Sequence, residues 1–160
     1  MKDINRVLTC VDLSEYSKMV IEYALEFVKG LNTEILLFNV INDKDIDAVK
    51  TLSPHFPGEF NVESYIESIK AERHLMIQDL IERHFLAEKL QMKILIHVGI
   101  PFDAILNAIE TENADLVVIA SKGKSNLIGT LHGSNAEKVF RHSHVPVLSV
   151  RNRDKFGQNL

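Results

Sequence analysis

The chain has 160 residues, a size typical of one domain, and its 46% hydrophobic content is enough to cover both faces of a central sheet. The formal net charge is -4, so no excess of Lys and Arg marks the chain for binding nucleic-acid phosphates. The single cysteine, Cys10, excludes an intramolecular disulfide, and the N-terminal apolar stretch is too short for a membrane span. We therefore expect a cytoplasmic protein with no nucleic-acid partner and no membrane partner.

Apolar and β-branched runs without polar alternation predict buried strands, because a parallel sheet is covered on both faces. Five such runs occur along the chain, at Val7–Val11, Glu34–Ile41, Met92–Val98, Asp115–Ala120 and Pro146–Arg151. Amphipathic helical patterns separate them. The alternation predicts an α/β fold with a doubly wound, mostly parallel five-stranded sheet and helices on both faces.

The segments between the strands give more local predictions. Ser14 is predicted to be the N-cap of the first helix. The polar stretch after the second strand, which contains Pro54, Pro57 and Gly58, is predicted to be a mobile loop. Apolar residues at helical spacing predict a long helix whose buried stripe includes Ile66, Ile69, the stem of Arg73, Met76, Ile77, Leu80 and Ile81.

The ends of the chain bear on its organisation. Pro146 lacks an N–H, which favours an edge position for the last strand. We expect one domain over residues 1–151 and a polar tail over 152–160.

The segment from Ala120 to Ser134 carries the strongest indication of chemistry, because ligands of open α/β sheets bind beyond the carboxyl ends of the strands. Its glycines allow backbone N–H groups to approach phosphate oxygens, and Ser134 supplies a hydroxyl at the start of the next helix. A Walker motif is excluded, since its first glycine would fall at Val118 inside a strand. No G-x-G-x-x-G follows the first strand, so a dinucleotide fingerprint is excluded as well.

This loop reads Ala120-x2-Gly123-x9-Gly133-Ser134. It resembles the G-x2-G-x9-G-[S/T] loop of ATP-binding members of the universal stress protein family, matching three of its four positions. The departure is Ala120, which adds a methyl group where those members have glycine.

The likeness extends over nearly the whole chain. The first strand with its Asp12-x-Ser14 turn, the Gly99-x-Pro101 turn and the ending His144–Val150 also resemble family segments. The resemblance implies an adenine-nucleotide alpha-hydrolase-like or flavodoxin-like three-layer sandwich. It further implies ATP, with Mg²⁺, as the cofactor, and a homodimer formed through Pro146–Arg151.

The resemblance also assigns roles to individual residues. Asp12 corresponds to the acidic residue near the ribose and, indirectly, the nucleotide-bound Mg²⁺, and Val40 to the residue whose backbone meets adenine. Cys10 stands at the wall of the adenine pocket. The nucleotide-binding candidates are Cys10, Val11, Asp12, Val40, Ala120, Ser121, Gly123, Lys124, Asn126, Gly133 and Ser134.

Structural interpretations stay open for several of these residues. Asp12 is equally suited to a turn that starts a helix, and Lys124 to a solvated loop. Cys10 has no C-x-x-C partner, which favours a small buried apolar residue over a redox thiol. Ala120 is neutral if its φ is ordinary and the nucleotide does not pack against its Cα, and it weakens binding otherwise.

Three functions compete at this point. The first is a nucleotide-dependent regulator in the stress response that also has an unidentified protein partner. The second is an interaction module of the same fold without a nucleotide. The third is an ATP-using enzyme of a related fold. We expect no catalytic residues, with slow incidental ATP hydrolysis left open.

Overall fold

A computed structural model describes residues 3–52, 54, 61–122 and 134–152. Within them the core is a five-stranded sheet in the order β3-β2-β1-β4-β5, and every neighbouring pair is parallel. The strands are β1 (Arg6–Cys10), β2 (Glu34–Asn42), β3 (Met92–Gly99), β4 (Leu116–Ala120) and β5 (Val147–Val150). The predicted doubly wound α/β fold is confirmed, and β5 lies at an edge.

Helices cover both faces of this sheet. The helices are α1 (Ser17–Phe27), α2 (Asp43–Leu52), α3 (Val62–His84), α4 (Pro101–Thr111) and α5 (Ser134–His142), with a 3-10 helix at Leu86–Gln91. One apolar cluster packs α1 and α3 against one face, and a second packs α4 and α5 against the other. This division is what right-handed crossovers require when the strand order reverses within a sheet.

Two local predictions were wrong. Part of the expected mobile loop is the helix α2, in which Ile46 is fully buried. Its first turn carries Asp43 and Asp45 and its last turn Lys50, charges that complement the helix dipole. Met76 is 48% exposed, so the core side of α3 is narrower than expected and depends on Ile77 and Ile81. The prediction for Pro57 and Gly58 falls outside the described residues.

The strand order defines where a ligand can enter. The chain steps outward from β1 to β2 and β3, then returns to place β4 on the other side of β1. The register pairs Val7 with Leu116 and Thr9 with Val118, so β1 and β4 end nearly level. The reversal leaves a crevice at the carboxyl ends of β1 and β4, where ligands bind in folds of this type.

The amino edge of the sheet is closed by a network that we call the amino-edge clasp, made of Asn5, Arg6, Glu34, Glu112 and Asp115. The Asp115 carboxylate accepts hydrogen bonds from the backbone N–H of Asn5 at 2.9 Å and of Arg6 at 3.1 Å. Arg6 Nη1 donates to the Glu112 carbonyl at 2.8 Å, and Arg6 Nε lies 3.1 Å from Glu34. These contacts join β1, β2 and the turn that leads into β4.

Candidate functional site at the carboxyl edge

The pairing of β1 with β2 continues beyond the end of the strand. Val11 N–H donates to the Phe38 carbonyl at 2.9 Å, and the Val11 carbonyl accepts from the side-chain amide of Asn39 at 2.6 Å. Val11 is buried, so its main chain is fixed against β2. The segment that follows therefore starts from a rigid position.

Asp12 organises the turn between β1 and α1. Its Oδ1 accepts from the Ser14 N–H at 3.0 Å and from the Ser17 hydroxyl at 3.4 Å. Leu13 between them has φ of 60°, a left-handed conformation that costs a non-glycine residue about 1–2 kcal/mol. Strained backbone of this kind concentrates at functional sites, because the surroundings must enforce it.

Ser14 does not cap the helix as predicted. Its hydroxyl accepts from the Tyr16 N–H at 3.2 Å, which makes a turn ahead of the helix, and α1 begins only at Ser17. The Asp12 side chain holds this turn. The structural role that the sequence left open for Asp12 is thus present, and Asp12 lies just beyond the end of β1, at the edge of the sheet where β4 also ends.

Cys10 ends β1 and packs against the cluster beneath α4 and α5. Burial, reinforced by the nearby Asp12 carboxylate, raises the pKa of the Cys10 thiol to about 12. The thiol therefore stays protonated at neutral pH. This agrees with a small apolar residue at the wall of the site and disagrees with a redox nucleophile.

We expect alkylation of Cys10 by iodoacetamide to be slow in the folded protein. The raised pKa lowers the thiolate population about a thousandfold at neutral pH, and higher intrinsic nucleophilicity recovers on the order of thirtyfold of that loss. The folded protein should react roughly thirtyfold more slowly than the urea-unfolded chain, measured by mass spectrometry. Equal rates in the two states would contradict the buried thiol.

The carboxyl end of β4 lies beside that of β1, because the two strands pair in parallel and end nearly level. Ala120 is the last residue of β4 and pairs with Val150, and the buried Ser121 donates its N–H to the Val150 carbonyl at 2.8 Å. The non-glycine residues with positive φ in the described ranges are Leu13 and Asn113, so the Ala120 backbone is ordinary. Its extra methyl group imposes no backbone strain, which removes one of the two reasons for expecting weaker binding.

The end of β2 contains a polar contact that sequence analysis missed. The Val40 carbonyl accepts from Arg73 Nη1 at 3.3 Å, and the same nitrogen donates to Asn39 Oδ1 at 3.1 Å. An amide in an otherwise apolar strand and an arginine in an apolar helical stripe were the available signals. Only the fold could show that they meet.

The structure thus brings one group of candidates to a single edge of the sheet: Cys10, Val11, Asp12, Val40, Ala120 and Ser121. Ser134 begins α5. Gly123, Lys124, Asn126 and Gly133 lie outside the described residues. Within the described ranges, no three His, Cys, Asp or Glu side chains are grouped to hold a metal ion, and no helix is long and apolar enough to cross a membrane.

These features define an open, doubly wound parallel α/β protein whose strand order reverses between its first and fourth strands, the position at which folds of this class bind ligands. The chain belongs to the universal stress protein family, whose family model matches residues 3–151.

Individual relatives agree with this family over most of their length. Universal stress protein MJ0577 of Methanocaldococcus jannaschii is 27% identical over 155 residues, covering 93% of this chain and 96% of the relative. Universal stress protein YxiE of Bacillus subtilis is 26% identical over 148 residues, covering 92% of this chain and 99% of the relative.

Solved structures share the fold. That of MJ0577 superposes with a TM-score of 0.76 at 25% identity, covering 94% of this chain and 97% of that one. A universal stress protein solved in complex with cAMP superposes with a TM-score of 0.62 at 19% identity, covering 94% and 98%. The second likeness establishes the fold alone.

Proposed function

We propose that this protein binds ATP, accompanied by Mg²⁺, in the crevice between β1 and β4 and acts as a regulatory module in the stress response. The observation that carries the proposal is the position of Ala120. It is the last residue of β4, at the strand reversal, and it starts the sequence pattern of an ATP-binding loop. The sequence pattern of an ATP-binding loop therefore begins at the edge of the sheet where folds of this class bind ligands.

The strand ends suggest how the parts of ATP would be distributed. Phosphates would follow β4, where the glycine-rich segment leads to the start of α5 and its N-terminal N–H groups. The ribose and the metal-bound phosphates would lie near Asp12, beyond the central β1. Adenine would meet the main chain at Val40 on β2, beside the wall formed by Val11 and Cys10.

The regulatory part of the proposal is supported by family membership. A ligand regulates a protein when it binds one conformation or one assembly better than another. We propose a cytoplasmic homodimer joined at the β5 edge, with one domain over 1–151 and a tail over 152–160. ATP would alter its shape or its choice of protein partner, without a catalytic role for the chain itself.

The experiment is a thermal-shift titration of nucleotide-stripped protein with Mg-ATP, with GTP and AMP as comparators. A ligand at about one hundred times its Kd adds roughly 2.7 kcal/mol, which for a domain of this size raises Tm by about 5–10 °C. We expect a shift of that size with ATP and a smaller one with the others. No shift at millimolar ATP would overturn the proposal and favour an interaction module without a nucleotide.

A further inference from the structure

A buried polar link ties the long helix α3 to the ends of two strands at the site. Asn39 is 1% exposed, so both ends of its amide need partners inside the protein. Its Nδ2 donates to the Val11 carbonyl at 2.6 Å, and its Oδ1 accepts from Arg73 Nη1 at 3.1 Å. The amide is thereby held between the main chain of β1 and a side chain of α3.

Arg73 makes a second contact from the same nitrogen. Nη1 lies 3.3 Å from the Val40 carbonyl, so one guanidinium group sets both the Asn39 amide and the neighbouring peptide. Hydrogen bonds to a charged donor are stronger than those between neutral groups. The guanidinium fixes the direction of the Val40 carbonyl and leaves its other lone pair for a further donor.

The position of this link in the sheet separates it from the phosphate end of the crevice. β2 and β4 lie on opposite sides of β1. Neighbouring strands are about 4.8 Å apart, which places the end of β2 roughly 10 Å from the end of β4. A change at Arg73 therefore acts on the part of a ligand that lies over β2.

We propose that Asn39 and Arg73 are positioning residues for the base of the bound nucleotide. This inference rests on the proposed function, in which adenine meets the main chain at Val40. Arg73 orients the Val40 carbonyl for the exocyclic amino group, and Asn39 holds Val11 at the wall beside it. Neither residue is needed to hold the phosphates.

The test compares Arg73→Met with Arg83→Met by isothermal titration calorimetry. Arg83 lies on the same helix and pairs with Asp79 at 2.8 Å, with 70% of its side chain exposed. Each variant is titrated with Mg-ATP and, separately, with Mg-tripolyphosphate, which carries the phosphates without base or ribose. If Arg73 has a purely structural role, its replacement lowers the affinities for ATP and for tripolyphosphate together. If Arg73 positions the base, its replacement lowers only the affinity for ATP.

For Arg73→Met we expect ATP to bind about tenfold more weakly, with tripolyphosphate unchanged within about twofold. Arg83→Met should leave both affinities at the wild-type value. Arg73→Lys retains a charged donor and should recover part of the ATP affinity. If the methionine variant does not fold, the lysine variant is titrated in its place, and a lower affinity for ATP with an unchanged affinity for tripolyphosphate is the expected result.

Equal weakening of both ligands, or unchanged ATP binding, would overturn the positioning role while leaving ATP binding itself intact. A wild-type protein that binds neither ligand would overturn the proposed function and this inference with it. The wild-type titration tests the proposed function, and the Arg73 variants test the positioning role, so the two failures are distinguishable.

Discussion

Replacing Asp12 by asparagine is expected to weaken Mg-ATP binding between about tenfold and a hundredfold, because a charge-assisted contact is lost. Asparagine keeps an oxygen that accepts from the Ser14 N–H, so the turn that carries the left-handed Leu13 should survive. The loss would therefore report the negative charge and not the turn. Calorimetric titration of ATP with and without Mg²⁺ measures it.

Asp47→Asn provides the matched control for Asp12→Asn. Asp47 lies on α2, where it accepts from Lys50 at 3.3 Å with 64% of its side chain exposed. Its replacement should leave ATP affinity unchanged. If Asp12→Asn binds Mg-ATP as tightly as the wild type, Asp12 serves only its turn, which was the alternative left open by the sequence.

Replacing Ser149 by proline should convert the proposed dimer into a monomer. Val117 and Ser121 donate their N–H groups to the carbonyls of Pro146 and Val150, so alternate residues of β5 face β4. Ser149 lies between them in this alternation, so its N–H points away from β4, to the side on which the proposed partner strand would pair. Proline removes that outward donor, and an edge strand tolerates it there.

Sedimentation velocity at micromolar concentration distinguishes dimer from monomer. Ser149→Ala keeps the N–H and should remain dimeric, while circular dichroism should show both variants folded. A Ser149→Pro protein that stays dimeric would place the interface away from β5. A wild-type monomer would remove the dimer from the proposal.

The sequence predicted the sheet well, because strands that are buried on both faces have continuous apolar runs that are easy to recognise. The strand Glu34–Asn42 has apolar side chains at six of its nine positions and consecutive buried residues instead of alternating ones, as expected for a parallel sheet that is covered on both faces. In all five strands, each predicted end lies within one residue of the observed end. Asp12 and Ala120 could be placed at the same edge because both follow or end parallel strands, whose carboxyl ends lie at one edge of the sheet.

Contacts between segments that are distant in the chain could not be predicted from the sequence. Arg73 meets Asn39 across 34 positions of the chain, and this meeting depends on how α3 lies over the end of β2. The helix α2 was missed because its sequence is mostly polar, and a single fully buried residue among those whose burial is described, Ile46, gives only a weak periodic signal. The φ of Ala120, on which the effect of its methyl group depends, likewise required the backbone.

The amino-edge clasp affects which substitutions this protein can accumulate without losing its fold. Arg6, Glu34 and Asp115 join the strands at the edge opposite the crevice. Substitutions at Asp12 or Val40, in the proposed ligand site, leave that network intact, so a change in that site need not lower the free energy of unfolding of the sheet. A chain built in this way can gain or lose a ligand at that site and still fold.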